Sequence, residues 1–233
     1  MRRAVRFAFA LAALPLAWGV ARAFVDVFRL MSEGGGLVSS GAAAVFAGVL
    51  AQVLVWLALP VPARAYVLGH ELTHALWGLL FFARPSDLTV GASGGSVKLS
   101  KTNLLITLAP YFFPFYTFVV IVSALLTWAF VRPLPCLPLW MFMIGFTWAF
   151  HVLFTLETLT QSQPDVKSYG RVFSWTLIFI GNVGLVLVWL AVTTQLTFAQ
   201  LGDDLLGRVL ASYSTTGALL QTGFVRLVGL FRG

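Results

Sequence analysis

Long apolar runs, separated by short polar breaks, set the pattern of this chain. Residues 7–20 are apolar behind a basic start at residues 1–6. The run continues through Phe24, Val25, Val27, Phe28 and Leu30, which predicts a first transmembrane helix. Ala21-Arg22-Ala23 gives the same stretch a second reading, a cleaved signal peptide. Gly34-Gly35-Gly36 and Ser39-Ser40 predict a loop. Residues 42–59 predict a second span, closed by Pro60 and Pro62. Residues 63–82 predict a third, ended by Arg84-Pro85-Ser86. Residues 103–131 are apolar but interrupted by Pro110 and Pro114, which predicts a kinked fourth span. After the turn Arg132-Pro133-Leu134-Pro135, residues 137–159 predict a fifth span. Polar Gln161-Ser162-Gln163-Pro164-Asp165 breaks it, and residues 171–192 predict a sixth.

Two stretches differ. In residues 87–100, Leu88, Val90, Val97 and Leu99 are spaced by small or polar residues, with Gly94-Gly95 between the halves. That is the pattern of a β-hairpin. From Gly202 onward, Asp203-Asp204 suit a helix start, where the helix dipole favours negative charge. Leu205, Leu206, Val209, Leu210 and Tyr213 then recur at helical spacing, which predicts an amphipathic surface helix, with a weak seventh span as the second reading. No repeat is visible. The expected fold is an all-α polytopic membrane protein of about six spans, with a small hairpin after the third. Its expected divisions are 1–40, an N-terminal helix and loop; 41–195, the core with hairpin 87–100; and 196–233, the tail.

Composition agrees. The chain has 233 residues, 59% hydrophobic and 10% charged, with mean hydropathy +0.92. Soluble domains carry about 25% charged residues, so a soluble fold of this composition would lack a polar surface. The net charge of +7 comes from 15 basic and 8 acidic residues, the basic ones mostly in loops and tails. That suits anionic lipid head groups. No basic cluster adjoins a soluble fold, so nucleic acid is not an expected partner. The lone Cys136 excludes an intrachain disulfide framework and cysteine-based zinc ligation. Arg2, Arg3 and Arg6 favour a cytoplasmic N-terminus, while Arg84, Lys98 and Lys101 would then fall on the far side, so orientation stays open. Arginine outnumbers lysine, which by association points to a bacterial or archaeal cell membrane.

The chemistry gathers in His70-Glu71-Leu72-Thr73-His74. On a helix, residues four apart share a face, so His70 and His74 can offer two imidazoles to one metal ion. Glu71 is placed to act on a water at that metal, the His-Glu-x-x-His arrangement of zinc hydrolases. The motif uses two of three histidines and one of three glutamates in the chain. A charged group at mid-bilayer costs about 2.5–3.5 kcal/mol on insertion scales, so a polar patch without a task is disfavoured. Zinc is the expected ion. Catalytic zinc takes three protein ligands and an open position, and Asp165, His151 and Glu157 are the candidates for the third. His70, His74 and His151 lie near the middle of their spans, whereas Asp165 lies beyond the end of the fifth. Asp165 reaches the metal only if the break after Thr160 folds back into the protein. His151 has a second reading, as an oxyanion or substrate contact, and Glu157 as a partner of a neighbouring polar group such as Gln161. Asn182 reads as interhelical packing.

Gly69-His70-Glu71-Leu72-Thr73-His74-Ala75 in an apolar helix resembles the site-2 protease family of intramembrane zinc metalloproteases. So does the following hairpin, Leu88-Thr89-Val90-Gly91 to Ser96-Val97-Lys98-Leu99. The resemblance spans about residues 63–182. It implies zinc on His70 and His74, Glu71 as the base, and Asp165 in Gln163-Pro164-Asp165 as the third ligand. Val166 follows where the family has glycine, and Ala109-Pro110 stands for its Gly-Pro, which marks a divergent branch. The implied activity is hydrolysis of peptide bonds in membrane-protein substrates. A non-catalytic membrane zinc protein, acting as a binding or regulatory module, is the alternative; a transporter is a third reading. Substrate identity and oligomeric state are not legible.

Overall fold

The apolar runs fold as helices, and the alternating stretch folds as strands. A computed structural model describes residues 3–33, 40–60, 62–91, 94–193 and 197–230. Among the described residues the order is α1 (Arg3–Glu33), α2 (Ser40–Ala58), α3 (Ala63–Leu80), β1 (Pro85–Val90), β2 (Gly95–Leu99), α4 (Leu104–Phe112), α5 (Phe115–Phe130), α6 (Leu137–Thr160), α7 (Pro164–Tyr169), α8 (Arg171–Thr193) and α9 (Phe198–Leu230). The glycines expected to form a loop at 34–36, and Ser39, lie outside the described residues, while Ser40 opens α2.

Among the described residues, four helices are long and apolar enough to cross a membrane: Phe7–Val27, Gly41–Ala58, Leu137–Thr160 and Arg171–Trp189. The number rises to five if the bent pair α4 and α5 is one span. That pair turns by 79° at its break, where Phe113 and Pro114 interrupt the helix, while Pro110 sits inside α4. The expected kink is therefore a break with two arms. The motif helix α3 has 18 residues and is not in this set, because Arg64, His70, Glu71 and His74 lower its hydropathy.

Contacts group the chain into two compact units, Met1–Gly34 with Tyr169–Gly233, and Gly35–Ser168. Residues 171–192, counted with the motif core on sequence, thus pack with α1 and α9. In this first unit, Val20, Ala23, Val27, Leu187 and Leu201 form an apolar core. Asn182 donates from Nδ2 to the Ile178 carbonyl within α8 at 2.9 Å. The tail helix begins earlier than Asp203-Asp204 suggested. Thr197 Oγ1 accepts from the Gln200 amide at 3.2 Å, and Gln200 Oε1 accepts from the Thr197 amide at 3.0 Å. This reciprocal capping box fixes the start at Phe198, which leaves both aspartates inside the helix. Asp204 and Asp26 face Arg208 at 3.5 and 2.8 Å.

The second unit carries the motif. Here α2 and α6 pack through reciprocal glycines. A Cβ on Gly48 would overlap the Phe142 carbonyl oxygen, and one on Gly145 the Val45 carbonyl oxygen. Small residues at such positions let helix backbones approach closely. The hairpin β1–β2 is antiparallel, with Thr89 opposite Ser96 and Val90 opposite Gly95. Its register shifts between Ser86 and Thr89, where Asp87 adopts φ 49°. Lys98 Nζ pairs with Asp87 Oδ2 at 2.9 Å. The motif helix packs against the hairpin, α4 and α5.

Candidate metal centre

Elements packed against α3 close on the motif from two sides. On the α5 side, Gly69 admits the Tyr116 ring, whose Cε2 would stand 2.8 Å from a Cβ there. Tyr116 Oη donates to the Ala65 carbonyl at 2.6 Å. On the hairpin side, a Cβ on Gly95 would stand 2.6 Å from Val67 Cγ1 and 3.1 Å from Glu71 Cγ. Strand β2 therefore lies directly over Glu71, which is 7% exposed. Thr73, within the motif, is occupied by its own helix: Oγ1 donates to the Gly69 carbonyl at 2.7 Å.

His74 is oriented by α4. Its Nδ1 lies 2.9 Å from the Ile106 carbonyl oxygen. A carbonyl only accepts, so Nδ1 carries a proton, and Nε2 is the ring nitrogen left to face Asp165 or a metal. That Nε2 lies 3.4 Å from Asp165 Oδ2, and His70 Nε2 lies 3.6 Å from the same oxygen. The chain folds back after Thr160, as Asp165 requires, and Asp165 sits in the first turn of the short helix α7 rather than in a loop. Tyr111 Oη, from α4, donates to Asp165 Oδ2 at 3.1 Å. Burial alone raises the Asp165 carboxyl, but the two facing imidazoles outweigh it and hold the group well below the usual carboxylate range.

These residues fit a metal. One ligand atom each from His70, His74 and Asp165 lies within 4.8 Å of the other two. Ligand atoms about 2.0–2.1 Å from a tetrahedral zinc stand about 3.3–3.4 Å from one another. The two imidazole–carboxylate separations are near that value and longer than an N–H···O hydrogen bond, about 2.7–3.2 Å. The His74–Ile106 contact is of the kind that a ligating histidine almost always makes through its other ring nitrogen.

The other candidates are placed apart from this cluster. His151 is buried on α6 and lines a cavity of about 20 Å³ with Tyr66, His70, Tyr116 and Phe150, room for roughly one water. It shares a wall with His70 but is not one of the three converging groups. Glu157 also stays outside the cluster; its Oε2 is buried without a hydrogen-bond partner among the described residues, so the expected pairing through that oxygen with Gln161 is not made. Sequence reasoning missed Tyr111 and the Ile106 carbonyl. Nothing in the pattern of α4 marked them, because both act through a backbone break whose direction only the fold supplies. Comparison with protein-family models, with curated proteins and with solved structures finds no match.

Proposed function

We propose that the chain is an intramembrane zinc metalloprotease, similar to the site-2 protease family in its motif helix, hairpin and distant aspartate. The observation that carries this reading is the approach of Asp165 to both motif imidazoles from a separate helix. His70, His74 and Asp165 would hold the ion. Zinc, when bound, supplies Lewis acidity toward water and a peptide carbonyl. Glu71 takes the proton of the attacking water and returns it to the leaving amine. Its burial under β2 keeps bulk water from competing for that carboxylate.

The chain is multi-pass in this reading. Its six crossings are the four long helices, the bent pair α4–α5, and α3. The substrate is a membrane protein whose helix unwinds locally, since helical carbonyls are already hydrogen-bonded. The exposed strand β1 offers an edge that holds the unwound segment extended by β-addition. Deleting residues 91–98 without loss of cleavage would remove that role.

The test is purified protein in detergent, with zinc measured directly and cleavage followed on a labelled transmembrane peptide. Wild type is expected to carry stoichiometric zinc and to cut. Glu71→Gln is expected to keep zinc and lose cleavage by at least about a hundredfold. Wild type free of zinc, or Glu71→Gln as active as wild type, would overturn the reading.

A further inference from the structure

Tyr111 is 0% exposed, so its hydroxyl cannot meet a substrate. It nevertheless reaches two of the three proposed ligands. Its Oη donates to Asp165 Oδ2 at 3.1 Å, the same oxygen that faces both imidazoles. Its ring stands edge-on to the His70 ring, with centroids 5.3 Å apart at 86°. Asp165 needs such a brace. It is only the second residue of α7, a helix of six residues. A ligand on so short an element is held by its hydrogen bonds rather than by its backbone. Pro110 precedes Tyr111 within a buried run from Ile106 to Tyr111, so the phenol sits on a rigid support. The same arm presents the Ile106 carbonyl to His74.

We infer that Tyr111 is a positioning residue for the metal centre: its hydroxyl fixes the Asp165 carboxylate as third ligand while its ring braces His70. This rests on the metal reading above. The aromatic packing explains the ring; it does not explain the hydroxyl aimed at the one carboxylate of the cluster.

The experiment is metal affinity by chelator competition, with the visible spectrum of the cobalt-loaded protein, for wild type, Tyr111→Phe, Asp165→Asn and the double variant. Phe keeps the ring and removes the hydroxyl. Tyr111→Phe is expected to weaken zinc about 10–100-fold and to change the cobalt spectrum, while apo thermal unfolding stays near wild type. In the Asp165→Asn background the same change is expected to add nothing, because the effect runs through Asp165. Equal affinity and an unchanged spectrum for Tyr111→Phe would overturn the inference and leave the metal reading standing. An additive loss in the double variant would also overturn it. Wild type that binds no metal would remove both. Should Tyr111→Phe fail to fold, 3-fluorotyrosine at position 111 keeps the wild-type contacts. Its fluorine resonance is expected to move on zinc addition in wild type and not in Asp165→Asn; no movement in wild type would overturn the inference.

Discussion

The Nδ1 atom of His74 lies 2.9 Å from the Ile106 carbonyl oxygen, and this contact ties the motif helix to the broken segment α4–α5. The carbonyl cannot be deleted by substitution, but its support can. Ile106 is held at the start of α4 by Asn103, whose side chain accepts from the Ile106 amide at 2.9 Å. Asn103 is the helix cap. Asn103→Ala is expected to lower stability by about 0.5–2 kcal/mol and to weaken zinc binding, because the acceptor of His74 loosens. Thermal unfolding and chelator competition on the same sample read both effects. Unchanged zinc affinity alongside a lost cap would show that His74 keeps its tautomer without α4.

His151 and Asp165 were rivals for the third ligand on sequence, and the geometry separates them. Asp165→Ala removes the carboxylate 3.4 and 3.6 Å from the two imidazoles. It is expected to reduce bound zinc severely. His151→Ala is expected to retain zinc, since His151 shares a cavity wall with His70 without joining the cluster. Elemental analysis of the two variants beside wild type decides the matter. Zinc lost from His151→Ala and kept in Asp165→Ala would reverse the assignment.

Much of this was legible in the chain, for definable reasons. The long helices were, because about 20 apolar residues between prolines and polar breaks admit few other structures. The hairpin was, from the alternation of Leu88, Val90, Val97 and Leu99. The motif was, because His70 and His74 are local neighbours on one helix. The return of Asp165 was not readable from spacing, since depth along straight spans sets it too far away; only the resemblance pointed to it. Tyr111 and the Ile106 carbonyl were invisible, because they depend on the direction of a 79° bend. The tail start was misjudged for another reason: two aspartates looked like a helix start, but Thr197 and Gln200 make the stronger local bonds.

The contact between α2 and α6 predicts a sharp sensitivity at Gly145. An added Cβ would run into the Val45 carbonyl oxygen and also stand 2.9 Å from its carbon. These are backbone atoms of a packed helix, so no side-chain rotation relieves the overlap. Gly145→Ala is expected to destabilise by about 1–3 kcal/mol, read as a lower unfolding midpoint in detergent. Gly184→Ala is the control, because a Cβ there meets nothing within 4 Å. A Gly145→Ala protein as stable as that control would mean that α2 and α6 separate without cost.

Gly95 joins the hairpin to the motif, and it separates two roles of the site. A Cβ at this position would stand 2.6 Å from the Thr89 carbonyl oxygen, 2.6 Å from Val67 Cγ1 and 3.1 Å from Glu71 Cγ. Valine there must push β2 away from α3 or displace the Glu71 side chain. The three proposed ligands, two on α3 and one on α7, make their contacts toward α4 and α7. Gly95→Val is therefore expected to leave zinc content unchanged and to cut peptide cleavage by at least about tenfold, because Glu71 and the strand edge both move. Elemental analysis and the cleavage assay read the two roles separately. A variant that loses zinc as well would mean that the hairpin supports the ligands themselves. A variant with full activity would mean that neither the Glu71 position nor the placement of the hairpin edge limits the reaction.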